Sequence, residues 1–294
     1  SLDGGSFFYP NPLASNGKYS RKPWFGCACC PSNVSRFIPS LPGYVYAVKD
    51  NQVYVNLYLS NKAELIVNKK KVVLEQETGY PWNGDIRVKV AQGNQEFALK
   101  LRIPGWVRNE VLPSGLYSYA DNQKPTYRII VNGQETANTL NNGYLSIERK
   151  WKKGDVVKIH FDMLPRIVKA NEKVVDDKGR VSVERGPIVY CAEWPDNKCN
   201  VHTVLLNQHP QFKVVEKPEL LYGISQLKTD AQALSYDKNG KLITKDTELT
   251  LIPYYAWAHR GEGDMKVWLP IDVSAASALP QEVQKWEDNG FFKN

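Results

Sequence analysis

The chain has 294 residues, 42% of them apolar, with eight Trp, sixteen Tyr, nine Phe and a formal net charge of +7. That length carries two domains with cores of their own, and the aromatic content excludes a disordered chain. Lys and Arg come in twos and threes, such as Lys69-Lys70-Lys71 and Lys152-Lys153, rather than in one block, which reads as solvated turns and strand ends and argues against nucleic acid as a partner.

No run of about eighteen apolar residues is present, so no membrane-spanning helix is expected. The opening Ser1-Leu2-Asp3-Gly4-Gly5 has no signal-peptide pattern and no initiating Met, so the natural amino terminus is expected upstream.

Residues 1 to about 45 are rich in Gly, Pro, Asn and Ser and read as loop plus one short helix. Within them Cys27-Ala28-Cys29-Cys30 places three of the five cysteines in four positions, a spacing unlike a secreted disulfide framework. Pro31 and Ser32 suit the first turn of a helix whose Val34, Phe37, Ile38 and Leu41 recur at helical spacing and predict one buried face, ended by Pro39 and Pro42. Cys29 and Cys30 then sit at the helix mouth, where unpaired amides and the positive end of the dipole favour a thiolate, the form that acts as nucleophile or metal ligand. A tetrahedral zinc site needs four ligands, more than this loop supplies. A Cys27 to Cys30 disulfide and inert thiols remain the competing readings.

From Val53 onward period-two alternation dominates: Val53, Val55, Leu57 and Leu59; Ile86, Val88 and Val90; Phe97, Leu99, Leu101 and Ile103; Ile129 and Val131 before the turn Asn132-Gly133; Leu145 and Ile147; Val157, Ile159, Phe161 and Met163. After Leu164-Pro165 it resumes with Val181 and Val183, Ile188 to Ala192, Leu249 to Ala258, and Met265, Val267 and Leu269, interrupted by a polar stretch from about 195 to 247. Many short strands without crossover helices predict a mainly β chain of two tandem antiparallel β-sandwiches. Cys191 falls in a strand and reads as a core residue, and Cys199 as a free thiol in a polar loop. His160, His202, His209 and His259 show no metal-ligand spacing, and residues 280–292 form at most one short amphipathic helix.

Cys27-Ala28-Cys29-Cys30-Pro31-Ser32-Asn33 with Arg36 resembles the hallmark of glycoside hydrolase family 127, which includes β-L-arabinofuranosidases. Four further segments are similar to that family: Phe7-Phe8-Tyr9-Pro10-Asn11-Pro12-Leu13, Arg102-Ile103-Pro104-Gly105-Trp106, Arg185 to Cys191, and Pro253 to Ala258 running to Trp268-Leu269-Pro270. The resemblance implies residues 1–45 as the last, loop-and-helix segment of an (α/α)6 catalytic barrel, followed by a first β-sandwich over 46–167 and a second over 168–294. It implies zinc as cofactor, Cys29 as nucleophile and zinc ligand, Cys30 as a second zinc ligand, and Tyr9 as a substrate contact. Cys27 stands where one type of this family has a sugar-contacting histidine, and is taken as substrate-binding. The implied chemistry is retaining hydrolysis of a plant-type arabinose-containing glycan, with the acid glutamate and the remaining zinc ligands upstream of residue 1, so that the isolated chain is expected to be inactive.

Glu172, Glu184, Glu193 and Glu262 are expected to be ordinary surface or turn carboxylates rather than substitutes for that acid. A homodimer is the oligomeric expectation. The resemblance implies a bacterial setting, periplasmic, exported or cytoplasmic. Two other functions compete: a carbohydrate-binding or structural sandwich using Trp257 or Trp268 as sugar platforms, and a thiol redox protein resting on the Cys27 to Cys30 spacing alone.

Overall fold

A computed structural model describes residues 1–277 except 28, 122, 137, 138 and 240; the expected helix near the carboxyl end lies outside the described residues. The chain is mainly β and divides into two compact units that are discontinuous in sequence. One comprises residues 29–113 and 123–164; the other comprises residues 1–28, 114–122 and 165 to the end.

The unit containing residues 29–113 has two sheets. Six strands run in the order Gln134–Glu135, Tyr127–Val131, Val156–Phe161, Asp85–Gln92, Lys70–Thr78 and Asn61–Val67. Five run in the order Leu140–Asn141, Tyr144–Lys152, Asn94–Arg102, Gln52–Val55 and Tyr46–Lys49. Val53, Val55, Ile86, Val88, Leu99, Leu101, Leu145 and Ile159 of the alternating runs are buried, because one face of each of these strands turns inward. Trp151 fills this core completely and still satisfies its indole, which donates to the Phe97 carbonyl at 3.0 Å. At Gly84 a Cβ would come within 1.9 Å of the Phe161 carbonyl oxygen, so that position admits no side chain without movement of a core strand. Among the described residues one pair is parallel, Gln52–Val55 against Asn94–Arg102; every other pairing is antiparallel.

The other unit carries a branched sheet of eleven strands with three apolar clusters among the described residues. Its longest members, Ile224–Tyr236 and Leu242–Pro253, form a hairpin across much of the stretch that reads as polar. Ser225, Gln226 and Thr229 are buried there; Ser225 donates to Glu216 at 2.8 Å and Gln226 to Asp196 at 3.0 Å. Tyr117–Tyr119 leaves the neighbouring stretch of sequence to pair with Pro165–Ala170 in this unit. Cys191 is fully buried, and burial pushes its thiol well above the usual range; Cys199 is a free thiol in a loop, half-buried against the apolar cluster.

Candidate active site

The helix Cys29–Ser40 begins on the cysteine pair, so both thiols occupy its first turn. Three serines return their hydroxyls to helix carbonyls, Ser32 to Cys29 at 3.1 Å, Ser35 to Pro31 at 2.9 Å and Ser40 to Arg36 at 3.0 Å, while Arg36 donates to Asn33 at 2.7 Å. The expected buried face is corrected by the structure: Val34, Phe37 and Ile38 are about half exposed, and Phe37 meets Tyr44 of the following turn rather than a core. The helix periodicity is genuine, but within this unit no sheet covers that face among the described residues.

Cys27, Cys29 and Cys30 are exposed, and no disulfide joins Cys27 to Cys30. The sulfurs of Cys29 and Cys30 lie 3.8 Å apart. Two zinc–sulfur bonds of about 2.3 Å opened to the tetrahedral angle span about 3.8 Å, so the pair fits two corners of one zinc coordination sphere. No cluster of three or more His, Cys, Asp or Glu suited to a metal occurs among the described residues. Two sulfurs are half of the four donors that a tetrahedral zinc ion takes.

Tyr9 and Cys27 belong to the other unit. Tyr9 is 40% exposed and its ring meets Phe25 edge-on at 5.4 Å. The neighbouring Phe8 is stacked on Trp257, centroids 4.9 Å apart and planes 11° from parallel, and the Arg21 guanidinium lies 4.5 Å from the Phe8 centroid. Trp257 is buried, so it offers no face to a sugar, and Trp268 is half-buried with one face stacked on Tyr117 at 5.6 Å.

Two of the four glutamates weighed as surface groups prove otherwise. Glu193 is 1% exposed, accepts from the Ala258 amide at 2.7 Å and pairs with Arg260, which also binds Asp196. Its partners lie more than sixty residues away, so no local pattern marks it. Glu184 is largely shielded and accepts from the Tyr119 hydroxyl at 3.2 Å, beside an Arg166 whose guanidinium lies 3.5 Å from the Tyr119 centroid and binds Asp121 at 2.8 Å. Burial raises the Glu184 pKa, with Tyr119 and Arg166 opposing the rise.

A raised carboxyl means that the folded state binds the proton more tightly than the unfolded chain. Its stabilising contribution is complete below the unfolded value of about 4.3 and is lost as pH climbs through the raised folded value. Glu184→Gln keeps an acceptor for Tyr119 and removes the titration. Urea denaturation between pH 4 and 8 is expected to show wild type losing stability relative to this variant as pH rises; a pH-independent difference would sink the assignment.

Sequence models of one family match the chain in three consecutive pieces: the β-L-arabinofuranosidase GH127 catalytic domain over residues 1–43, the β-L-arabinofuranosidase GH127 middle domain over 52–163 and the glycoside hydrolase family 127 C-terminal domain over 165–270. The chain belongs to glycoside hydrolase family 127. It is 29% identical over 91% of its length to the non-reducing end β-L-arabinofuranosidase of Bifidobacterium longum subsp. longum, covering 42% of that protein. Among solved structures, a GH127 β-arabinofuranosidase is 82% identical with a TM-score of 0.92, over 94% of this chain and 43% of the other. A GH127 β-L-arabinofuranosidase from Geobacillus stearothermophilus T6 is 33% identical with a TM-score of 0.81, over 92% of this chain and 43% of the other. The chain thus spans less than half the length of these relatives. Within the family frame, Tyr9, Cys27, Cys29 and Cys30 all fall in the piece that matches the catalytic domain, while Trp257 and Glu193 fall in the C-terminal domain.

Proposed function

We propose that this chain supplies the nucleophile and two zinc ligands of a retaining β-L-arabinofuranosidase, with an arabinose-containing glycan as substrate. The observation that carries this reading is the Cys29–Cys30 sulfur pair, 3.8 Å apart at the start of a helix in a segment matching the GH127 catalytic domain.

The Cys29 thiolate attacks the anomeric carbon; the sulfur–carbon bond forms as the glycosidic carbon–oxygen bond breaks, and the departing oxygen takes a proton from a carboxylic acid. Water then attacks the same carbon, the sulfur–carbon bond breaks and Cys29 leaves as thiolate, with the water's proton returning to the carboxylate. Two inversions give retention. Zinc, when bound, supplies a positive charge that lowers thiol pKa values and fixes their direction. Cys30 holds the second sulfur position beside the nucleophile, and the helix amides stabilise the anionic sulfur. Tyr9 and Cys27 contact the sugar. Neither Glu184 nor Glu193 is placed to act as the acid, since Tyr119 and the Ala258 amide with Arg260 already engage them. The acid and the other zinc ligands come from the remainder of the catalytic domain, and residues 1–294 alone turn over no substrate.

The test uses a polypeptide that joins these residues to the whole catalytic domain. Incubated with an aryl β-L-arabinofuranoside and quenched during turnover, it is expected to yield a peptide containing Cys29 heavier by one arabinosyl group, with β-configured arabinose as first product by NMR. Inverted product, or a label on another residue, would overturn the proposal.

A further inference from the structure

Residues 1–28 match the catalytic domain, yet they are built into the same compact unit as the C-terminal domain, and a small set of contacts fastens them there. Arg21 is at its centre. One guanidinium nitrogen donates to the carbonyls of Trp257 at 2.7 Å and Ala258 at 2.8 Å, and the same cation lies over the Phe8 ring that stacks on Trp257.

The receiving turn is held in an unusual backbone state. Ala258 has φ of +56°, a left-handed conformation that crowds a Cβ against the following carbonyl oxygen. It is pinned from both ends: its amide donates to the buried Glu193 carboxylate and its carbonyl accepts from Arg21. Next to it, His259 accepts from the Leu2 amide at 2.9 Å through Nε2, which places its proton on Nδ1, where it donates to the Ala256 carbonyl at 2.9 Å. The Tyr254 hydroxyl donates to the Pro12 carbonyl at 2.8 Å. The turn at 254–259 thus receives the Pro12 carbonyl, the Leu2 amide, the Phe8 ring and the Arg21 guanidinium, which lie on both sides of Tyr9 in the catalytic segment.

Building on the proposed function, we infer that Arg21 is a positioning residue: it clamps the Phe8 ring against the C-terminal domain's Trp257 turn and thereby fixes where Tyr9 meets the sugar. Lys at position 21 would keep the charge over Phe8 but lose the planar fork that serves ring and carbonyls together.

The test compares wild type, Arg21→Met, Arg21→Lys, Tyr9→Ala and Arg21→Met with Tyr9→Ala, in a polypeptide that includes the whole catalytic domain. Phe7 and Lys22 exchange both backbone hydrogen bonds, at 2.8 and 2.9 Å, and so report on the clamp. Arg21→Met is expected to lower hydrogen-exchange protection at those two amides and to raise KM for an aryl β-L-arabinofuranoside about tenfold, with kcat within about twofold. Arg21→Lys should fall between, which keeps the test decisive if Arg21→Met fails to fold. In the Tyr9→Ala background, Arg21→Met should add nothing to KM. Unchanged protection, unchanged KM, or an equal rise in KM without Tyr9 would each overturn the inference. Absence of turnover by wild type would sink the proposed function instead, and protection at Phe7 and Lys22 would then decide alone whether Arg21 holds the segment.

Discussion

Cys29→Ser, in a polypeptide with the whole catalytic domain, is expected to lower kcat for an aryl β-L-arabinofuranoside more than about a thousandfold while leaving the fold intact. Serine is nearly isosteric, and the Cys29 side chain is exposed, so no core packing is at stake. What changes is the chemistry at one atom. A thiol gives up its proton far more readily than a hydroxyl, and an un-ionised oxygen is a poor nucleophile towards an acetal carbon. The Sγ–Sγ spacing of 3.8 Å adds a second consequence, because Cys29 and Cys30 are proposed to share one metal. Cys30→Ala should therefore weaken zinc binding by at least tenfold, measured by competition with a chromogenic chelator, with Cys29 still present. Turnover by Cys29→Ser within about tenfold of wild type would reject Cys29 as nucleophile, whatever the zinc measurement gives.

The cysteine pair is legible in the sequence because its signal is local: three thiols within four positions beside Pro31 and Ser32 need no fold to be noticed. The strands around Val53, Ile86, Phe97, Ile129, Leu145 and Val157 are legible for a similar reason, since alternate residues in them are buried; Lys70–Thr78, with Val72, Val73 and Leu74 buried in a row, is not. The hairpin Ile224–Tyr236 with Leu242–Pro253 escapes that logic, because it buries Ser225, Gln226 and Thr229 among partners such as Glu216 and Asp196, and polar residues on an inward face cancel the alternation. The helix after Cys29 fails in the opposite sense: its apolar spacing is real, but periodicity states which face is apolar and not whether this unit covers it. Least legible are Arg21 and Glu193. Arg21 meets Trp257 across 236 positions and Glu193 meets Arg260 across 67, and a lone arginine or glutamate carries no mark of a distant partner.

Arg260→Met should destabilise the C-terminal unit by about 3–5 kcal/mol, because it removes a guanidinium that two shielded carboxylates share. Glu193 is 1% exposed and Asp196 is shielded too, and both bind Arg260, with one of the Asp196 contacts at 3.0 Å. The cation outweighs its own desolvation: the two carboxylates raise the Arg260 pKa although burial lowers it, so the charge is held throughout the working pH range. With methionine in its place, Glu193 keeps the Ala258 amide and Asp196 keeps Gln226, but each remains a shielded anion that has lost its ion-pair partner. Truncating the cation therefore costs more than truncating either anion. The double variant Arg260→Met with Glu193→Gln removes one of the stranded charges and should recover part of the loss, a coupling that independent contributions cannot give. Urea denaturation of the four proteins measures it, and additive losses would mean that the triad is held by packing rather than by charge.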